Sequence, residues 1–308
     1  MIDGSVLIQV EAQVFLYFAI GIILKKIRLT GPKEDQFLSE LLLGLILPMN
    51  VFVSFYQSMH MDQLITGGLL ILAGTLVVLL ILLITRLLPR SIPADKKRIA
   101  EFCMLISNGS LIGIPLIEAL CGTAGVVYAN IFMVPTRVFS NVAAKSFFDP
   151  ADHSGSWKEG VKSFATNPLI IGMVVGFVLN LSGFILPAPV MNVCSGLSGC
   201  MSPMALILVG STLADAFAQV SFGKMFSLPI LAICLFRLLA APYLTLLVCR
   251  LLGLSGTECA AAVLVNAAPV ANTATIFCQK YHGDINFTST CVFISTLLSF
   301  VTLWLVRF

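Results

Sequence analysis

Apolar residues run through this chain in blocks separated by short polar punctuation, and many blocks reach the roughly 20 residues that a helix needs to cross a hydrocarbon core. With that ruler the sequence predicts ten spans, approximately 6–25, 35–57, 64–88, 99–120, 123–146, 167–186, 190–216, 226–250, 255–280 and 285–306. Spans four and nine are the weakest, because each carries a polar interruption. No Lys or Arg precedes the first block, so Val6 to Leu24 is expected to be a retained span rather than a cleaved signal peptide. Between spans one and two, Thr30 is placed to cap a helix, Pro32 suits its first turn, and Glu34 and Asp35 suit its positive end.

Composition strengthens the reading. Of 308 residues, 58% are hydrophobic and 11% charged, whereas a soluble domain carries about 25% charged residues. The net charge of +3 is a topology signal rather than a nucleic-acid footprint. Lys25, Lys26, Arg28 and Lys33 follow span one; Arg86, Arg90, Lys96, Lys97 and Arg98 surround the 3–4 loop. Lys145, Lys158, Lys162, Lys224 and Lys280 lie in the 5–6, 7–8 and 9–10 loops, leaving Arg250 and Arg307 for the opposite side. Ten spans put every basic loop on one face, so both termini are expected outside the plasma membrane.

The nine cysteines lie mostly in apolar runs without a CxxC pair, and His60, His153 and His282 fall one to a loop. Neither a disulfide framework nor a metal site is expected, and no cofactor.

The chain also repeats itself. Gly21 to Pro48 and Gly176 to Pro203 are both 27 positions; Pro48 to Pro115 is 67 and Pro203 to Pro269 is 66. Residues 1–146 and 167–308 are therefore read as two five-span copies joined by a cytoplasmic linker, 147–166. An odd number of spans per copy turns the second upside down, an architecture that places transporter sites near the midplane.

The polar interruptions fall at matching places. Span four holds Ser107, Asn108, Gly109, Ser110, Gly113 and Pro115; span nine holds Asn266, Pro269, Asn272 and Thr273. Proline and glycine weaken both segments, which are expected to unwind. Unwound backbone cannot face lipid, so it must lie within protein, where helix N-termini and side-chain amides can hold an anion. A packed proline kink is the plainer alternative. Arg137 in span five and Arg237 in span eight must each face a cavity or a partner, either drawing an anion or pairing with Asp215, Glu101 or Glu118. Glu11 is placed near the interface, Pro48 and Pro203 at scaffold kinks, and Gly172 and Gly176 on a close-packing face.

At "LILPMNVF" (46–53), "SNGSLIGIPLIEALCGTAGVVYANI" (107–131), "NPLIIGMVVGFVLN" (167–180) and "MSPMALILVGSTLAD" (201–215) the chain resembles the auxin efflux carrier family, which includes plant PIN carriers and bacterial malonate and malate permeases. The resemblance spans nearly the whole chain and implies an all-α, ten-helix fold similar to bile-acid/sodium symporters, with broken helices four and nine crossing. It further implies a scaffold of spans 1, 2, 6 and 7, dimeric in many members, and a transport domain of spans 3–5 and 8–10. Asn108, Pro115 and Pro269, with Asn266 and Asn272, match the crossover positions, and the implied substrates are small organic anions. Asn50, after Pro48, is more polar than the apolar residue expected there. The short linker favours a prokaryotic type.

The leading expectation is thus a carrier of small carboxylates working by elevator-type alternating access. Its candidate substrate residues are Asn108, Gly109, Ser110, Pro115, Asn266, Pro269, Asn272, Arg137 and Arg237. Coupling to a proton or to sodium stays open: neither break contains an aspartate, only Glu118 lies near one, and asparagine amides with freed carbonyls could build a sodium site. A ligand sensor on a transporter fold is the alternative. An intramembrane enzyme would need a nucleophile–base pair or paired carboxylates, and the spans offer neither.

Overall fold

A computed structural model describes residues 4–59, 61–86, 94–148, 162, 164–219, 227–280, 283–303 and 305, and within them the regular elements are helices. In chain order these are α1 (Gly4–Lys26), α2 (Pro32–Leu41), α3 (Leu47–Ser58), α4 (Leu64–Thr85), α5 (Ala94–Leu105), α6 (Ile114–Phe148) and α7 (Pro168–Leu181). They continue as α8 (Ala188–Gly199), α9 (Met201–Gln219), α10 (Leu228–Leu235), α11 (Ala241–Leu251), α12 (Thr257–Ala267), α13 (Thr273–Lys280) and α14 (Ile285–Thr302). Most of the linker, the three histidines, and Arg90, Lys158, Lys224 and Arg307 lie outside the described residues.

Seven helical stretches among the described residues are long and apolar enough to cross a membrane: Ile8–Lys26, Pro32–Ser58, Leu64–Thr85, Gly109–Ser140, Ala188–Asp215, Leu228–Leu251 and Ile285–Thr302. The chain is an all-helical, multi-pass membrane protein. The sequence predicts ten spans, and the difference has physical sources. Helical backbone runs through α6 except at Gly122, whose φ of 65° and ψ of −166° are open to glycine. The predicted boundary between spans four and five falls at this residue. Span six is represented by only 14 helical residues, and span nine is cut into α12 and α13.

Among the described residues three turns widen to π geometry, Leu42–Ile46, Gly109–Gly113 and Phe236–Ala240, and each ends two residues before a proline: Pro48, Pro115 and Pro242. A proline ring clashes with the carbonyl four residues back and supplies no N–H; an extra residue in the preceding turn moves that carbonyl aside. The helix therefore absorbs the proline and continues. Pro203 stands in the first turn of α9, where its missing N–H costs nothing.

Glycines set several close helix pairs: Gly74 of α4 lies against the Phe132 carbonyl of α6, and two further pairs answer each other. An added Cβ on Gly172 or Gly176 of α7 would lie 2.6 Å from the carbonyl oxygen of Pro48 or Phe52 on α3. On α1, a Cβ at Gly21 would strike the Ile207 carbonyl of α9, and one at Gly210 of α9 would strike the Phe18 carbonyl of α1. Gly21 and Gly176 hold corresponding places in the two predicted copies, so the same device packs α1 on α9 and α7 on α3.

The α1–α2 connection corrects one expectation. Gly31, not Thr30, is the N-cap of α2, with the Glu34 carboxylate accepting the Gly31 N–H at 2.9 Å. Thr30 Oγ1 instead meets Ser211 Oγ at 3.2 Å. Asp35 is buried by the same packing: it accepts from Lys25 Nζ and from Ser211 Oγ, both at 2.7 Å, while Lys25 also reaches Asp215 at 2.6 Å.

Candidate functional site

Helical structure stops at Leu105 and resumes at Gly109; it stops again at Ala267 and resumes at Thr273. The two breaks hold each other. Ser107 and Val270 form an antiparallel bridge: the Asn108 N–H donates to the Pro269 carbonyl at 2.7 Å, and the Ala271 N–H donates to the Ile106 carbonyl at 3.2 Å. The Val270 N–H turns to Ser295 Oγ on α14 at 3.1 Å. Backbone groups released by one break are thus bonded by the other or by α14, which an apolar interior demands.

Arg237 caps the C-terminal ends of both helices that lead into the breaks. It is fully buried and sits in the π turn between α10 and α11. Its Nη1 donates to the Met104 and Leu105 carbonyls at 3.1 and 3.2 Å, and its Nε to the Ala268 carbonyl at 3.3 Å. Nη2 donates to both the carbonyl and Oδ1 of Asn266, each at 2.7 Å. The last carbonyls of a helix carry partial negative charge, and two such ends converge on one guanidinium. No carboxylate is required; Asp215, one partner expected from sequence, pairs with Lys25. Asn266 completes the arrangement by donating to Thr245 Oγ1 at 2.8 Å.

The N-terminal side is built differently. Asn108 caps the π turn that leads into α6, with φ −78° and ψ 43°, but its side chain makes no capping bond. It is only 5% exposed, and its Nδ2 has no hydrogen-bond partner among the described residues. The first N–H groups of a helix likewise lack intrahelical acceptors, so amide donors and positive potential gather here. A Cβ on Gly109 would press Met133 Sδ at 3.0 Å and Val265 Cγ1 at 3.1 Å, so a larger residue here needs those side chains to shift. Arg137, partly buried on α6, reaches Ser110 Oγ at 3.4 Å and Asn130 Oδ1 at 2.9 Å.

The candidate residues fall into two groups. Asn108, Gly109, Ser110 and Arg137 lie together at the start of the second half-helix, with Pro269 joined to Asn108 through its carbonyl. Arg237 and Asn266 lie together on the C-terminal side, their polar groups bonded to protein. Asn272 is apart from both pairs, donating to Thr212 Oγ1 of α9 at 3.4 Å, and Pro115 is buried in the first turn of α6. Glu118 of α6, noted from sequence only as a carboxylate near a break, has partners that sequence reasoning missed: Asn50 of α3, with Ser198 of α8, and Ser202 of α9. The unexpected polarity of Asn50 was the signal.

A profile of the family described as membrane transport protein matches residues 6–143 and 158–307. The chain belongs to this family. It is also similar to an uncharacterized transporter of Methanothermobacter thermautotrophicus, at 24% identity over 294 residues, covering 94% of each chain. Membership of the membrane transport protein family, the one that includes the auxin efflux carriers, points to a transporter.

Proposed function

We propose that this membrane transport protein carries a small organic carboxylate by elevator-type alternating access, with the anion held at the N-terminal side of the paired breaks. The observation that carries the reading is the orphaned amide: among the described residues, a 5%-exposed Asn108 keeps an unpartnered Nδ2 donor at a helix start, where the dipole favours negative charge. A buried donor without an acceptor is costly, and an arriving carboxylate would satisfy it. Arg137, linked to Ser110, adds positive charge next to it.

In this reading the chain makes ten passes as two inverted copies whose broken helices cross. The repeated glycine pairing of α1 with α9 and of α7 with α3 supports a scaffold of spans 1, 2, 6 and 7, against which spans 3–5 and 8–10 move. The basic loops would face the cytoplasm, and the scaffold would pair with a second copy. Arg237 keeps the C-terminal ends of both breaks in one rigid body, so the crossing travels as a unit.

The test is uptake of labelled malonate and malate by the purified chain in proteoliposomes. Saturable uptake that Asn108→Ala abolishes is the expected result. Uptake indifferent to that change would remove the site, and binding without flux would make the chain a sensor.

A further inference from the structure

Among the described residues, one carboxylate lies between helices without a salt-bridge partner. Glu118, one turn beyond Pro115, is half-buried on α6 and faces α3, α8 and α9. Its Oε1 accepts from Asn50 Nδ2 at 3.2 Å and its Oε2 from Ser202 Oγ at 2.9 Å. Asn50 Nδ2 also donates to Ser198 Oγ at 3.1 Å. Asn50 is 0% exposed, and its Oδ1 has no hydrogen-bond partner among the described residues. The ion pairs found there join Lys25 to Asp35 and Asp215, and Lys96 to Asp284; none reaches Glu118.

We propose that Glu118, held between Asn50 and Ser202, is the carrier's coupling site and takes up a proton when α6 moves against α3, α8 and α9. This rests on the alternating-access reading above. In that reading Glu118 travels while Asn50, Ser198 and Ser202 stay with the scaffold. A carboxylate drawn off its donors onto apolar surface is heavily penalised while charged and far less when neutral. Protonation therefore releases the moving domain, and loss of the proton lets it dock again.

The hydrogen bonds suit a proton better than a metal ion. Hard cations take oxygen ligands, whereas the group turned toward the carboxylate from Asn50 is its amide nitrogen, bonded to two oxygen acceptors. A serine hydroxyl both donates and accepts. With a proton from water on Oε2, the bond to Ser202 reverses, the Asn50 amide still donates to Oε1, and one negative charge is removed. Among the described side chains of these elements, several other ionisable groups are engaged elsewhere and three are thiols. Tyr56 of α3 accepts the Leu186 N–H and donates to the Phe184 carbonyl; Asp215 of α9 pairs with Lys25; Arg137 of α6 holds Asn130. Cys194 of α8, Cys121 of α6 and Cys200 between α8 and α9 are free thiols.

The experiment uses the purified full chain in proteoliposomes, with the membrane potential clamped and an outside-acid pH gradient imposed or omitted. The gradient is expected to raise malate uptake about tenfold, the scale of typical linkage between sites. In Glu118→Gln the ratio of gradient-driven to gradient-free uptake falls to about one, whatever the absolute rate, because the site no longer exchanges a proton. Infrared pH-difference spectra of the same liposomes read the carboxyl directly. A titrating C=O band is expected in the unmodified chain and absent from Glu118→Gln. If neither malate nor malonate moves, the carrier reading fails by itself, and the infrared band still decides whether Glu118 exchanges a proton. An unchanged uptake ratio in Glu118→Gln, a requirement for sodium, or the absence of a Glu118 band would each overturn the proposal.

Discussion

Arg237 binds Asn266 twice, donating through one nitrogen to both its backbone carbonyl and its side-chain oxygen at 2.7 Å, while its other nitrogens reach Met104, Leu105 and Ala268. Two half-helices that share no sequence continuity thus end on one side chain. Truncation leaves several buried acceptors unpaired, each costing about 1–3 kcal/mol. Arg237→Met is expected to lower the melting temperature in detergent sharply and to reduce the folded yield. Arg237→Lys keeps the charge but not the planar fork and should fall between the two. Equal stability of all three would show that the ends are held by other means.

The glycine pairs permit a controlled comparison. Gly176→Ala pushes a methyl group against the Phe52 carbonyl, and Gly21→Ala pushes one against Ile207, so α3–α7 and α1–α9 must part or bend. Overpacking of this kind costs about 1–3 kcal/mol. Gly68→Ala on α4 has nothing within 4 Å of its new methyl group and is expected to be neutral or mildly stabilising. Thermal melts of the three variants in one detergent check the order.

Much of this architecture was legible as pattern. Apolar block length gave the helices, and the polar residues beside Pro115 and Pro269 marked where they break, because few side chains in a membrane helix are tolerated there without a reason. The partners of those residues were not legible. Arg237 carries no sign in the sequence that its neighbours are carbonyls from positions 104, 105, 266 and 268, since that contact depends on how two distant breaks meet. Glu118 and Asn50 stand 68 positions apart, and only packing of α6 on α3 joins them. Span counting ran into a related limit at Gly122, where one residue's backbone turn, not any polar stretch, separates two helical segments.

The ion network around Lys25 has graded members. Asp35 is buried with a side-chain exposure of 8%, while Asp215 is 42% exposed, and Lys25 is bonded to both. Losing the lysine strands a buried carboxylate, so Lys25→Met should destabilise by about 3 kcal/mol or more. Asp215→Asn, at a wetter position, should cost little, as exposed pairs usually do. Chemical or thermal unfolding of the two variants separates a structural latch on Asp35 from a surface charge pair.

Asn108 offers the sharpest division between folding and transport. The Asn108 side chain makes no capping bond that the change would lose, and the charge of aspartate is favoured at that end of the dipole. Asn108→Asp should therefore preserve the melting temperature. It also replaces the orphaned Nδ2 donor with a negatively charged acceptor at the place where the anion is proposed to bind. Uptake of labelled malate should fall by more than about tenfold from this repulsion, with the loss chiefly in apparent affinity. Arg137→Gln removes a positive charge beside Ser110 and should act in the same direction, raising the KM while sparing the fold. A stable Asn108→Asp variant with undiminished malate uptake would place the substrate elsewhere, leaving the helix start at Gly109 with a role in packing alone.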